Sequence, residues 1–212
     1  VGKFIRGLAW IVGLLLLVAG VLRLVLFKVW TVPDDLALSS SLAPSLWAGD
    51  VVLVTTRGTP GFGDLVRCRD PENALRFVAG RIIGLAGDTV EVDGGRVVVE
   101  GKAYGRESAC PEETFLVPHP TTGADFEVGC GVVKMGGDWY YAGLPLHTMP
   151  GLRGRVEVGE GMVFLLSDNR ALPNDSRIYG TVPAEDCSEK IVFRLVGAEG
   201  FADGAKRLSY IR

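Results

Sequence analysis

LRFVAGRIIGLAGDTVEVDGGRVVVEGKAY, residues 75–104, is built from short apolar or alternating runs separated by glycine-rich breaks. LRFVAGRIIGL (75–85) reads as a strand that stops at the turn Ala86-Gly87-Asp88. TVEVDGGRVVVEGKAY (89–104) reads as a hairpin with Asp93-Gly94-Gly95 at its turn. The same texture continues outward. VVLVTT (51–56), DLVRCRD (64–70), GMVFLLSD (161–168) and KIVFRLV (190–196) are further strands. The 29 glycines and 11 prolines among valine-rich runs fit short strands joined by turns and exclude a helical bundle. The fold class is therefore mostly β. Residues 31–50 read as an irregular segment with a serine cluster. Residues 105–155 are richer in Gly, Pro and aromatics, hold both His119 and His147, and read as an inserted subdomain. The closing AKRLSYIR is a small basic amphipathic stretch, read as a solvated tail or a membrane-surface contact.

The N-terminus is of another kind. From Phe4 to Trp30 the chain is almost wholly apolar, and WIVGLLLLVAGVL (10–22) carries no charge. A helix needs roughly 20 apolar residues to cross a bilayer. Lys3 and Arg6 in front of the run suit a cytoplasmic N-terminus. Arg23 and Lys28 follow it, and Trp10 and Trp30 suit the two interfaces. No A-x-A cleavage site follows, which favours a retained anchor over a cleaved signal peptide. The expected plan is a single transmembrane anchor (1–30), a β core (31–104 and 156–212) on the extracytoplasmic, periplasmic side, and the insert (105–155).

A net charge of −3 and a pI near 5.5 argue against nucleic acid as partner. Cysteine and histidine show neither CxxC nor HxxxH spacing, and no phosphate-binding Gly-rich loop appears, so no metal or other cofactor is expected. Four cysteines, Cys68, Cys110, Cys130 and Cys187, allow three pairings, or remain reduced inside the cytoplasm. Cys110–Cys130 is favoured because both lie in the insert, which leaves Cys68–Cys187.

Three segments carry a resemblance. SSSLAPSLWAGDVVLV (39–54) matches a Ser-x-Ser-Met-x-Pro-Thr-Leu…Gly-Asp pattern at Ser39, Ser41, Pro44, Leu46, Gly49 and Asp50. GRIIGLAGDTVEV (80–92) matches Lys-Arg-Val-Ile-Gly-Leu-Pro-Gly-Asp at Arg81, Gly84, Leu85, Gly87 and Asp88. FLLSDNRALPNDSRIYGTVP (164–183) matches Gly-Asp-Asn-Arg…Asp-Ser-Arg…Gly at Asp168, Asn169, Arg170, Asp175, Ser176, Arg177 and Gly180. In this order, behind an apolar N-terminus, the segments resemble the type I signal peptidases. The resemblance implies a core of packed antiparallel sheets with a variable second subdomain. It also implies a serine endopeptidase in which Ser41 is the nucleophile and Ser39 contributes to the oxyanion hole.

The chain departs from that pattern where the chemistry is most demanding. A serine hydroxyl needs a neighbouring base, and the family's base is a lysine kept neutral by burial. The lysine position here is Gly80, which has no side chain. The family's small Gly beside it is Ser167, expected to intrude on the lysine stem, and a spacer hydroxyl falls at Pro173. His119, His147, Lys102, Lys134 and Lys190 occupy no family base position. Asp168 and Asp175 are expected to pair with Arg81, Arg170 or Arg177 as structural charges. The resemblance places an extended substrate beside edges near 38–42 and 78–82, by strand addition. The reading is a non-catalytic, signal-peptidase-like subunit of a membrane assembly, with lipid and other membrane subunits as partners and extended signal-peptide-like segments as ligands. Two alternatives stay open: an active signal peptidase with an unusual base, and a peptidase completed by a base from another chain.

Overall fold

The computed structural model describes residues 2–73, 75–147, 153–204 and 206–212. Helix α1 (Gly2–Leu26) runs directly into strand β1 (Phe27–Thr31), followed by helix α2 (Leu36–Leu42) and strands β2 (Val51–Thr55), β3 (Leu65–Arg69) and β4 (Phe77–Gly84). Then come β5 (Thr89–Asp93), β6 (Arg96–Val99), β7 (Lys102–Ala103), β8 (Ser108–Pro118), β9 (Asp125–Met135) and β10 (Asp138–Leu144). The remainder holds β11 (Arg153–Glu157), β12 (Met162–Leu166), helix α3 (Ser176–Tyr179), β13 (Val182–Pro183), a 3₁₀ turn (Ala184–Cys187), β14 (Glu189–Val196) and β15 (Ser209–Tyr210).

The architecture is mostly β and antiparallel. The principal sheet runs β1-β2-β14-β3-β4-β12-β13, with β15 laid on β14. A second sheet orders β11-β5-β6-β7 and a third β10-β9-β8. The hairpin at Asp93-Gly94-Gly95 forms as read, with Asp93 opposite Arg96. The long insert makes the third sheet, but it is no independent unit. Val133, Met135, Tyr140 and Ala142 from β9 and β10 share one apolar cluster with Val90, Val97 and Phe164. Docking of that sheet depends on two glycines. Gly63 and Gly136 both have positive φ (92° and 62°), and a Cβ on Gly136 would come within 2.5 Å of the Phe62 carbonyl. Only glycines let the two backbones cross this closely.

Several expectations need correction. Residues 27–30 belong to the sheet: Phe27 to Thr31 pair with Thr55 to Val51, so the helix ends at Leu26. The serine segment is not irregular but contains α2, capped by Asp35, whose side chain accepts the Leu38 N–H. Seven residues are too few to hold a helix by propensity. It forms because Leu38, Leu42 and the following Leu46 sink into a cluster with Val52, Val54 and Ile191. Arg153 to Arg155, placed in the insert by sequence, pair in β11 with Asp93 to Glu91. The basic tail is not a free solvated tail, because Ser209 and Tyr210 pair with Arg194 and Phe193.

The described apolar side chains of α1 up to Val21 are exposed, Trp10 at 81%. Among the described residues no helix is long and apolar enough to cross a membrane. The structure gives an apolar, exposed helix there, and not a demonstrated span.

Both disulfides of the favoured pairing are present. Cys68–Cys187 bridges 119 residues and Cys110–Cys130 bridges 20. Cross-links restrict the unfolded chain more when the closed loop is longer. Replacing Cys68 and Cys187 by alanine is expected to cost about 5 kcal/mol of unfolding free energy, against about 3 for the Cys110/Cys130 pair. Urea unfolding of both double variants checks the order; a larger loss for the short bridge would contradict it.

Candidate functional site

The site is built on α2. Asp35 accepts at its carbonyl both the Ser39 N–H and the Ser39 hydroxyl, each at 2.8 Å. Leu38 and Leu42, four residues apart, share one helical face and pack into the core. Ser41 is 0% exposed, and its hydroxyl donates to the Leu38 carbonyl at 2.8 Å. Ser40 donates to the Pro118 carbonyl at 2.6 Å and so joins α2 to the end of β8. All three serine hydroxyls are therefore occupied as donors to backbone carbonyls. This is the backbone-satisfying role short hydroxyl side chains adopt in tight local structure.

A second segment clamps the helix from outside. Asn169 donates its backbone N–H to the Ser41 carbonyl at 2.9 Å and its side-chain amide to the Ser40 carbonyl at 2.8 Å. The Asn169 side-chain oxygen accepts the Ala171 N–H. Gly143 of β10 adds a parallel bridge: its N–H donates to the Asp168 carbonyl, and its carbonyl accepts the Arg170 N–H, each at 2.8 Å. Helix, turn and small sheet meet at Asn169.

Gly80 lies in the middle of β4, opposite Val66 of β3. A Cβ there would sit 3.1 Å from the Leu166 carbonyl oxygen and 3.3 Å from the Leu165 Cβ. Crowding at this first carbon thus comes from β12. The Ser167 hydroxyl, expected to intrude, is taken up by the next turn, where it accepts the Asn174 N–H at 3.1 Å. Pro173 is half-buried in the same turn. Among the described residues no basic nitrogen lies within hydrogen-bond reach of the Ser41 hydroxyl. Lys190 pairs with Asp64, Lys102 lies over the Tyr104 ring, and Lys134 and His147 are exposed. His119 stands edge-on to Phe126 in the turn after β8.

The expected substrate edges are not both available. Residues 36–42 are helical, and the Ser40 and Ser41 carbonyls are taken by Asn169, so this segment offers no extended edge. β4 pairs with β3 from Phe77 to Arg81 and with β12 from Arg81 to Gly84.

The charges divide into separate buried pairs. Arg81 holds Asp168 with two hydrogen bonds of 2.8 Å, and donates further to the carbonyls of Gly63 and Arg212. Its guanidinium lies 3.8 Å from the centre of the Tyr140 ring. Burial alone would lower its pKa, but the Asp168 carboxylate more than reverses this, so the value is raised. Arg177 pairs with Asp175 at 2.7 Å. Arg170 pairs with neither acid: it is fully buried, and donates to the carbonyls of Gly95 and Tyr104 and to the Tyr140 hydroxyl. Ser176 donates nothing to the serine helix, and its hydroxyl accepts the Leu165 N–H. Sequence reading missed a third buried pair, Asp50 with Arg194, in which Asp50 also receives the Trp47 and Ala198 N–H groups. The signal was an arginine inside the otherwise apolar run KIVFRLV.

Asp175 makes a pH prediction. Burial would raise its pKa, but Arg177 and the N–H groups of Ser167 and Arg177 hold it below the ordinary 3.8. The unfolded chain therefore takes up this proton at higher pH than the folded one. The stabilisation is complete above the ordinary value and is lost as pH falls below it toward the depressed one. Asp175→Asn is expected to cost about 3–5 kcal/mol at neutral pH, because Arg177 is left buried and alone. It should also flatten the acid limb of stability against pH. Urea midpoints across a pH series test this; an acid limb as steep as that of the unaltered protein would refute it.

Comparison with known proteins shows the family. The family described as "Signal peptidase, peptidase S26" matches residues 5–196. A probable signal peptidase I-1 of Synechocystis sp. (strain ATCC 27184 / PCC 6803 / Kazusa) is 28% identical over 197 residues, covering 87% of this chain and 81% of that protein. Signal peptidase I U of Bacillus subtilis (strain 168) is 28% identical over 179 residues, covering 81% of this chain and 78% of that protein. The crystal structure of a signal peptidase I from Enterococcus faecalis V583 shares 25% identity, covers 61% of this chain and 94% of its own, and superposes with a TM-score of 0.35. Matched along nearly its whole length, the chain belongs to the signal peptidase family, peptidase S26.

Proposed function

We propose that this chain is a non-catalytic member of its family, anchored in a membrane by α1 and acting through its folded domain as a subunit of a membrane assembly. One observation carries the reading: the Ser41 hydroxyl is fully buried and donated to the Leu38 carbonyl, while the lysine position is Gly80. Acyl transfer needs an oxygen that faces the substrate and a base that takes its proton. Here the oxygen faces its own helix. A neutral hydroxyl without a base is a poor nucleophile at physiological pH.

Location follows from two features. Two disulfides join all four cysteines, which suits an oxidising compartment outside the cytoplasm. The 25 residues of α1 rise about 37 Å, more than the roughly 30 Å hydrocarbon core of a bilayer. Its exposed apolar side chains are best satisfied by lipid. With Lys3 and Arg6 at its start, α1 crosses from the cytoplasm and the β domain sits on the far side. Immediately past the helix, Lys28 and Arg67 both contact Glu189 and bind β1, β3 and β14 together. Burial would raise the Glu189 pKa, yet these two cations hold it low. The base of the anchor is thus fastened to the sheet.

The protein purified in mild detergent is expected to show no labelling at Ser41 by a serine-acylating inhibitor and no cleavage of a preprotein. Stoichiometric labelling with cleavage would overturn the proposal. Gly80→Lys alone is expected to leave activity absent, since β12 crowds the new side chain and the Ser41 hydroxyl stays turned inward. Purified from its own membrane, the chain is expected to elute with partner subunits, and elution alone counts against the assembly role.

A further inference from the structure

Between β10 and the C-terminal strand β15 lies a cavity of about 470 Å³, lined among others by Trp139, Tyr141, Arg194, Ser209, Tyr210 and Arg212. Pro44 and Ser45, just past α2, also line it. None of its lining residues belongs to the 38–42 and 78–82 edges where the family resemblance puts a substrate, although Arg81 borders one end.

Each long wall of this cavity is a strand with one side unclaimed. β10 pairs with β9, and β15 pairs with β14; among the described residues no strand pairs with the other side of either. Gly143 turns both its N–H and its carbonyl outward, to residues 168–170. Alternation along a strand points the backbone groups of Tyr141 and Trp139 to the same outer side. The Trp139 N–H is already taken by the Asp138 carboxylate, which leaves Tyr141 as the open rung. On the facing wall, the Ile211 N–H bonds back to Val192, so the same alternation turns the backbone of Tyr210 toward the gap. One end is closed by Arg81, which reaches the Arg212 carbonyl and underlies the Tyr140 ring.

The lining also specifies chemistry. The Ser209 hydroxyl is buried and has no hydrogen-bond partner. A buried polar group left unpaired costs about 1–3 kcal/mol, and a ligand that supplied a partner would recover that. Leu208 before it is held at φ 46°, a left-handed conformation unfavourable for leucine. The tail therefore accepts strain to stand where it does. The two ionic side chains that line the cavity are both arginines. Asp50 neutralises Arg194, while Arg212 lies 4.6 Å from the Trp139 ring centre and forms no carboxylate pair among the described residues. The site is an aromatic-walled slot in which the Arg212 guanidinium has no carboxylate partner among the described residues.

We propose that this slot receives an extended polypeptide segment, carrying apolar and acidic residues in alternation, as a strand added between β10 and β15. Apolar side chains pack against Trp139 and Tyr141, and a carboxylate meets Arg212. Two unpaired edges give main-chain affinity, and the side-chain alternation gives specificity. The inference does not depend on whether Ser41 is inert.

The test uses the full chain in mild detergent and a short fluorescein-labelled peptide alternating valine and glutamate, with its lysine-for-glutamate counterpart. The glutamate peptide is expected to bind by fluorescence anisotropy and to perturb tryptophan emission. Arg212→Glu, a change on an exposed tail residue, is expected to weaken it about tenfold, the loss of one charge-assisted contact, and to favour the lysine peptide. Tyr141→Pro removes the open N–H and is expected to weaken both peptides alike. Absence of binding, equal binding of the two peptides, or glutamate-peptide affinity unchanged in Arg212→Glu overturns the proposal. Should Tyr141→Pro fail to fold, the charge-reversal comparison still decides.

Discussion

The Arg81 guanidinium is the point on which the molecule converges. It extends from the central strand β4 and is met by a carboxylate from the end of β12, a carbonyl from the loop before β3, a carbonyl from the tail and a ring from the small sheet. A charge this deep is tolerated only because every neighbour is placed to answer it. The pair commits Asp168, and with it Asn169, to one position. Asn169 then fixes α2 through the Ser40 and Ser41 carbonyls. The same arrangement that gives the core its definition also fixes the serine helix in its closed form.

That coupling bears on the proposed reading of a family frame retained without its chemistry. In a peptidase the serine must be poised, which means a hydroxyl kept free and a base kept neutral beside it. Both conditions are costly, since each leaves a polar group incompletely satisfied. Under the proposed reading those costs are absent. Every hydroxyl of the cluster has a carbonyl acceptor, and Gly80, where the family resemblance puts the base, is tucked against the β12 backbone. The buried ion pairs remain because they hold turns in place, a role independent of catalysis.

Much of this was legible in the sequence, for reasons that differ by element. The 75–104 hairpin region was plain because its turns are marked by glycine and aspartate and its strands by valine. The pairings of Asp168 and Asp175 with arginines were foreseeable, since buried acids need cations. Which arginine each acid takes was not, because Arg170 follows Asp168 at the same spacing as Arg177 follows Asp175, and only the fold turns Arg170 toward Tyr140. Helix α2 was missed because LALSSSL has weak helical propensity and forms only under tertiary packing. β1 was missed because FKVWT continues the apolar composition of the helix before it. The slot between β10 and β15 depends on strands more than sixty residues apart, and no local pattern encodes it.

The two cystine bridges also differ in how much chain must be made before each can close. Cys110 and Cys130 lie 20 residues apart and come together once a single strand pair has formed. Cys68 must wait until the chain has delivered Cys187, 119 residues later. During that interval its thiol is exposed to two nearer candidates. Closure of the short bridge first would withdraw both from competition, so the small sheet is placed to protect correct oxidation of the large one.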